Sequence, residues 1–392
     1  MVRVRVALAL AALGLGLPGA RAGGAAAPDP LAEVAGRIVA AARDDGEALA
    51  VLQHLSDRIG PRLSGSAGAA EAVRWTQQRF EQMGLRAWTE PVRVPHWVRG
   101  EERGALVAPM AQPLALTALG GSPPTPAGGL TAEVVEVTSL PELRALPEAA
   151  VKGRIVFFNH AMARAADYGT LSPLRGRGPA EASRRGAVGA LVRSLGTLAA
   201  RLPHTGSTTF AEDVTPIPAA ALAAEDADLL HRLLAAGQPV RVSLTLTCRT
   251  LGEADSANVL AELRGRERPQ EIVLIGAHLD SWDLGTGAID DGAGVAMVMG
   301  ALRLLKTMGL TPRRTVRGVL FMNEENGLRG GRAYAAAHAE ELARHVAAME
   351  SDSGAGHPAG LSASVGPGGL ERVRALAALT AAVSGTDVEE GG

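Results

Sequence analysis

The chain has 392 residues, a formal net charge of −2 and only 3% aromatic residues, with 47% hydrophobic residues overall. That balance gives no basic field for nucleic acid, and it supplies enough apolar surface for large cores in about two or three domains. Cys248 is the single cysteine, which excludes an intrachain disulfide, a cysteine-based metal site and a dithiol redox centre. Lys152 and Lys306 are the only lysines among abundant Arg, Ala and Gly, a bias that reads as GC-rich coding, so arginine clusters are discounted as evidence of function.

In chain order, Arg3 and Arg5 precede an apolar run from Ala7 to Leu17, followed by Pro18-Gly19 and the small-residue pattern Ala20-Arg21-Ala22. This is the layout of a secretory signal peptide, residues 1–22, cleaved after Ala22. The run is shorter than the ~20 residues a membrane span needs, so the expectation is a soluble exported protein, extracellular or periplasmic. Losing Arg3, Arg5 and Arg21 and no acidic residue takes the formal charge from −2 to −5.

Leu31 to Arg43 and Glu47 to Ile59 have the periodicity of amphipathic helices, the second ending at Gly60-Pro61, and a third helix runs from Ala69 to Met83 before Gly84. An extended stretch covers Arg86 to Val94. Beyond the turn-rich Gly120-Gly121-Ser122-Pro123-Pro124, short strands are predicted at Thr131–Val137, Gly153–Phe158, Ala190–Arg193, Ile217–Ala221 and Pro239–Thr247. Helical pieces at Pro179–Arg185 and Ala224–Leu234 lie between them, so this section forms a small mixed module. From Asn258 onward strand and helix alternate. Ile272–Ala277, Val316–Met322 and Val346–Met349 are nearly continuous apolar runs, as in strands buried on both faces of a mainly parallel sheet.

In such an α/β sheet ligands gather at the carboxyl ends of the strands, and the chemistry-bearing residues fall there. His278 ends one strand, Glu324-Glu325 ends the next, and Asp352 follows the third, while Asp290-Asp291 opens a helix whose apolar face is Val295, Val298, Met299, Leu302 and Leu305. Neutral imidazole and carboxylates suit zinc or a similar divalent ion with positions left for water. Asp280, two residues from His278 on an extended segment, is placed to fix the imidazole tautomer. Paired glutamates allow one to ligate while the other takes a proton from a water on the metal. Each motif alone has a bland reading: His-x-Asp is common, Glu-Glu is often a solvated loop, and Asp290-Asp291 serves equally as an N-cap with a favourable dipole charge. Gly285, Gly287, Gly292 and Gly294 lack the Lys-Ser/Thr of a phosphate loop. The ordered combination is what points to a metal.

The stretches Gly276-Ala277-His278-Leu279-Asp280-Ser281-Trp282-Asp283, Gly287-Ala288-Ile289-Asp290-Asp291-Gly292-Ala293-Gly294, Asn323-Glu324-Glu325-Asn326-Gly327 and Met349-Glu350-Ser351-Asp352-Ser353-Gly354 resemble the di-zinc aminopeptidase and carboxypeptidase family. Pro95-His96-Trp97-Val98-Arg99-Gly100-Glu101-Glu102 and Pro203-His204-Thr205-Gly206 resemble its plasma glutamate carboxypeptidase branch. The resemblance covers Leu31 to the C-terminus. It implies an α/β zinc exopeptidase fold, a mainly parallel mixed sheet flanked by helices, with residues 23–111 and 247–392 as catalytic domain and 112–246 as an inserted protease-associated α+β domain.

The same resemblance implies two Zn2+ ions: one held by His278 and Asp352, the other by Glu325, with Asp290 bridging both. Glu324 would be the general base and Asp280 its catalytic companion behind His278. Implied too are hydrolysis of dipeptides or short peptides with free termini, a homodimer, and a strained cis peptide at Asp290-Asp291. Arg193 and His204 are minor candidates for a substrate carboxylate or a dimer contact. The family's last ligand, a histidine, would fall beyond Gly392, together with the last strand and helix of the catalytic domain. Val388 to Gly392 has no apolar finishing element. His338 and His345, read as helical, and His357, close behind Asp352, are poor substitutes. The expectation is therefore one zinc held well, by His278, Asp290 and Asp352, and a chain of little activity. The competing readings are an aminopeptidase on longer peptides and a catalytically impaired binding module.

Overall fold

The computed structural model describes residues 2–8, 30–198, 200–352 and 354–391. The expected cleavage point after Ala22 lies outside them. The chain divides into two compact units, one formed by residues Met1–Val94 and Ala254–Gly392, the other by Pro95–Glu253.

The first unit begins with strand β1, Val2–Leu8, then helices α1 (Pro30–Asp44) and α2 (Glu47–Gln53). A π-helical turn, His54–Ile59, extends α2 to Gly60. Helix α3, Ala67–Gln82, starts where the Ser66 hydroxyl accepts from the Ala69 amide, an N-cap that satisfies one of the orphan donors of the first turn. Strand β2, Arg86–Val98, leads into the second unit.

There, strands β3 (Glu102–Ala108), β4 (Gln112–Leu114), β5 (Leu116–Ala118) and β6 (Leu130–Val137) are followed by α4 (Leu140–Ala145), α5 (Glu148–Val151), β7 (Ile155–Phe158), α6 (Tyr168–Gly176), α7 (Gly178–Arg184), β8 (Gly189–Arg193), β9 (Ala219–Leu222), α8 (Ala224–Ala235) and β10 (Arg241–Leu246). The order across the sheet is β4-β3-β10-β6-β7-β8-β9-β5. Its β6 to β9 segment is parallel and the remaining pairs are antiparallel. Val137, Val156, Phe158, Val192 and Ala219 form one face of its core with Leu143 and Leu171.

The chain returns through β11 (Arg249–Leu263) to β12 (Arg268–His278), α9 (Ala293–Thr307), β13 (Arg314–Phe321), α10 (Arg329–Ala337), β14 (His345–Glu350), β15 (Pro358–Val365), α11 (Gly369–Ala378) and β16 (Asp387–Glu390). The sheet runs β16-β15-β1-β14-β12-β13-β11-β2. Strands β13, β12 and β14 are mutually parallel, while β11 is antiparallel to β13. It is a mixed α/β sheet.

Alternation explains the continuous apolar runs. Ile272 and Leu274 face Val319 and Tyr334 on one side, whereas Ala277 and Leu320 face Val51, Leu55, Phe80, Val295, Met299 and Leu302 on the other. A strand covered by helices on both faces has no solvent side on which to place polar residues.

Val388 and His345 depart from the sequence reading. Val388 is buried with Ala363, Val373 and Ala377 inside β16 and its neighbours, so the segment read as lacking an apolar finishing element does contribute one. One valine flanked by acids carries too little pattern to be seen. His345 opens β14 rather than lying in a helix. The segment Val2–Leu8, read as the start of an export leader, pairs antiparallel with β14 and parallel with β15.

Within β13, Arg317 is bidentate to Glu341 at 3.0 and 3.2 Å and also bonds Glu262 at 2.8 Å and the Tyr334 hydroxyl at 2.8 Å. Burial alone would raise the Glu341 carboxyl, but bonds from Arg317 and His338 hold it down at about 2, against an ordinary 4.5. A depressed folded value stabilises the fold above pH 4.5, and that contribution disappears as pH falls toward about 2. Glu341→Gln should therefore flatten the acid limb of stability in this window, read as the urea midpoint against pH. An unchanged acid limb would contradict the coupling.

Candidate metal centre

The parallel register sets the site. His278, the last residue of β12, lies opposite Phe321 on β13, and Gly276 lies opposite Glu350 on β14. The residues that follow these strands therefore emerge at one edge: Asp280 after β12, Glu324 and Glu325 after β13, Asp352 after β14.

His278 is 1% exposed in its side chain, against 66% for Asp290 and 39% for Asp352. Its Nε2 lies 2.9 Å from Asp290 Oδ1 and 3.2 Å from Asp352 Oδ1. One donor atom from each of these residues falls within 4.8 Å of the others. The other ring nitrogen, Nδ1, is 2.9 Å from the backbone carbonyl of Asp280. A carbonyl only accepts, so Nδ1 carries a hydrogen and Nε2 is the nitrogen turned to the carboxylates, the arrangement a metal-binding imidazole requires. Nitrogen with carboxylate oxygens is a donor set that suits zinc.

Asp280 orients the imidazole differently from the sequence expectation. Its carboxylate Oδ1 stands 3.9 Å from Nδ1 and instead accepts from the amides of Asn323 at 2.7 Å and Glu324 at 3.0 Å. The side chain thus ties the end of β12 to the loop that carries the glutamates, while its backbone oxygen holds the ring. Asp280 Oδ2 is buried with no hydrogen-bond partner, a place where electrostatic demand is still unmet.

Glu324 and Asp352 line a cavity of about 570 Å³ with Phe321, Leu328, Gly331 and Glu350. Glu325 lies outside the His278, Asp290 and Asp352 group, its Oε1 accepting from the Trp282 amide at 3.2 Å. The Asp290-Asp291 peptide is cis. Asp291 is buried, accepting from the amides of His278 and Gly294, each at 3.0 Å. A Cβ at Gly294 would sit 2.1 Å from the Ser351 carbonyl and 2.3 Å from Asp291 Oδ1, so only glycine lets α9 approach the ligand loops this closely.

Asp291 and Asn323 stand inside the motif stretches of the sequence but were given no supporting role there, and Arg62 and Ser64, whose bonds reach these loops, gave no sequence signal. Asn323 sits at φ 71, the left-handed conformation in which asparagine is enriched. Arg193 is paired with Asp228 at 2.5 Å and Asn159 at 3.2 Å, and the His204 amide donates to Ser194 at 2.8 Å. His338 bonds Glu90 and Glu341, His345 bonds Tyr334, and His357 is exposed.

Acid crowding dominates the electrostatics. Burial would lower His278, but Asp290 and Asp352, aided by the charges of Asp280 and Asp291, raise it well above the usual histidine range. Burial, with Asp352, Asp280 and Asp290 against His278, pushes Glu324 up to about 7. Burial and Asp290 push Glu325 up to about 9, and burial pushes Asp291 up to about 8. Near neutral pH the metal-free site thus holds protons that a cation must displace. Zinc uptake should release protons and its affinity should rise with pH. Calorimetry in buffers of different ionisation heat checks this, and uptake without proton release at pH 7 would contradict it.

The profile of peptidase family M28 matches residues 258–390. Human carboxypeptidase Q is 38% identical over 323 residues, covering 82% of this chain and 67% of that protein. The structure of a peptidase M28 precursor from Shewanella amazonensis superposes with a TM-score of 0.87 at 38% identity, covering 92% of this chain and 83% of that one. A zinc aminopeptidase from Bacillus subtilis, at 20% identity and a TM-score of 0.59, shares the fold over 88% of this chain and 80% of its own.

Proposed function

The chain belongs to peptidase family M28 and is a metallo-exopeptidase, and from that premise we propose that it hydrolyses dipeptides or short peptides with free termini at a centre for two zinc ions. The observation that carries this reading is the convergence of His278 Nε2 with the carboxylates of Asp290 and Asp352 beside a cavity walled by Glu324. In it, His278 and Asp352 would hold one zinc, Asp290 would be shared, and Glu325 would serve the second. His278, Asp290 and Asp352 make the first position the better equipped.

Zinc, when bound, supplies Lewis acidity, lowering the pKa of a coordinated water towards neutrality and polarising the scissile carbonyl. The remaining work falls to this chain. Glu324, with a carboxyl near 7, is poised to accept the proton of the attacking water and return it to the leaving amine. Asp280 keeps that loop in register with His278 through the Asn323 and Glu324 amides. The cavity of about 570 Å³ is of the size that takes a small ligand.

Export follows from the leader reading, and cleavage after Ala22 would remove β1 and leave the facing edges of β14 and β15 unpaired. No helix among the described residues is long and apolar enough to cross a membrane. Residues 112–246, the candidate protease-associated insert and selector of substrates, fall within the unit Pro95–Glu253, which has its own core. A homodimer completes the reading, tested by sedimentation.

Glu324→Gln should retain zinc and slow dipeptide hydrolysis by about 10²- to 10⁴-fold, measured as amino-acid release from unblocked and end-blocked dipeptides. Hydrolysis only of longer peptides would favour the aminopeptidase alternative. Absence of hydrolysis of any peptide by the zinc-loaded protein would favour the binding module.

A further inference from the structure

Arg62 is the largest fully buried side chain among the described residues, at 0% exposure, and the chemistry above makes no use of it. Its side-chain hydrogen bonds reach backbone carbonyls rather than a carboxylate. Nε donates to Leu279 at 3.0 Å, Nη1 to Gly60 at 3.0 Å and Thr286 at 2.6 Å, and Nη2 to Gly287 at 2.9 Å. The backbone adds a reciprocal tie: the Arg62 amide donates to Ser281 Oγ at 3.1 Å, and the Ser281 amide to the Arg62 carbonyl at 3.4 Å.

The acceptors lie on the loops that present the donor atoms. Leu279 sits between His278 and Asp280. The Gly287 carbonyl also accepts from the Gly292 amide at 2.9 Å, closing the loop that carries Asp290 and Asp291. Two residues beyond Arg62, the Ser64 hydroxyl accepts from Asn323 Nδ2 at 2.8 Å and donates to Asn326 Oδ1 at 2.9 Å, bracketing Glu324 and Glu325. The Arg62 and Ser64 side chains are both buried. The joint is tight, since a Cβ at Gly287 would meet Ser281 Cβ at 2.3 Å and Arg62 Nη2 at 2.8 Å.

We propose that the Arg62–Ser64 segment is a positioning brace for the metal centre, with Arg62 fixing the His278 loop against the Asp290 loop and Ser64 fixing the loop of Glu324 and Glu325. The inference deepens the metal reading and rests on it. A guanidinium suits the task because its donors point in several fixed directions, so one side chain binds carbonyls on three segments at once; a lysine ammonium offers its donors from one point. Burying the cation without a hydrogen-bonded carboxylate is costly: burial lowers the Arg62 guanidinium below its ordinary value, and the charges of Asp280, Asp291 and Glu325 offset only part of that.

The test compares the unmodified protein with Arg62→Met, Arg62→Lys and Ser64→Ala, the last a small change that keeps the brace testable if Arg62 variants do not fold. Zinc affinity is measured by competitive titration with a chromophoric chelator, and amide exchange is followed in the metal-free protein. The brace predicts a zinc affinity lower by about 10- to 100-fold in Arg62→Met, little recovery in Arg62→Lys, and faster exchange confined to 279–292. Ser64→Ala should speed exchange at 322–327.

Unchanged zinc affinity and unchanged exchange in these loops would overturn the proposal, as would full recovery by lysine, which would make charge alone sufficient. If the unmodified protein takes up no zinc, the metal reading fails, and exchange in the metal-free loops still decides the brace. A purely structural role would lower the unfolding midpoint while leaving the zinc affinity of the folded variant intact.

Discussion

Carboxylates crowded at the end of a buried sheet cannot all be ionised unless positive charge is brought to them, and this constraint organises the catalytic unit. Asp280, Asp290, Asp291, Glu324, Glu325 and Asp352 act on one another and on His278 through their charges. In the metal-free protein the compensation comes from a raised His278, from carboxyl groups that hold on to protons, and from the buried Arg62. A divalent ion supplies the same compensation more fully. Acids that would be a liability in a packed domain become ligands, and the pull that strains their ionisation is what draws the metal in.

The fold makes such crowding possible by confining it to one edge. Strands β12, β13 and β14 run parallel, so their carboxyl ends coincide and each contributes a side chain to the same place. Burial on both faces by α9, α10 and the helices near the N-terminus keeps the strands from shifting. The loops are then pinned backbone to side chain: Asp280 to the Glu324 loop, Asp291 to His278 and α9, Arg62 to the loops of His278 and Asp290. Such ties to main-chain groups hold a loop whatever its other side chains are.

Much of this was legible in the sequence, because strand-end motifs are local. The runs Ile272–Ala277 and Val316–Met322 marked their strands to within a few residues, and order and strand-end position singled out His278, Asp290-Asp291, Glu324-Glu325 and Asp352, from which the family resemblance picked His278, Asp290 and Asp352 as sharing a metal. The brace was not legible. Arg62 bonds carbonyls more than two hundred positions away, at Leu279, Thr286 and Gly287, and a carbonyl has no residue identity to read. The role of Asp280 was half seen for a similar reason, since its partners are the amides of Asn323 and Glu324. Strands β15 and β16 escaped because Pro358–Val365 and Asp387–Glu390 are short and mixed in polarity, their burial resting on a few residues such as Ala363 and Val388.

The most direct test of the central claim is anomalous diffraction at the zinc edge from crystals grown with zinc. The account predicts a peak bonded to His278 Nε2 and the carboxylates of Asp290 and Asp352. A map with no peak there, or with zinc held only by residues elsewhere while His278 stays bonded to the two aspartates, would contradict it.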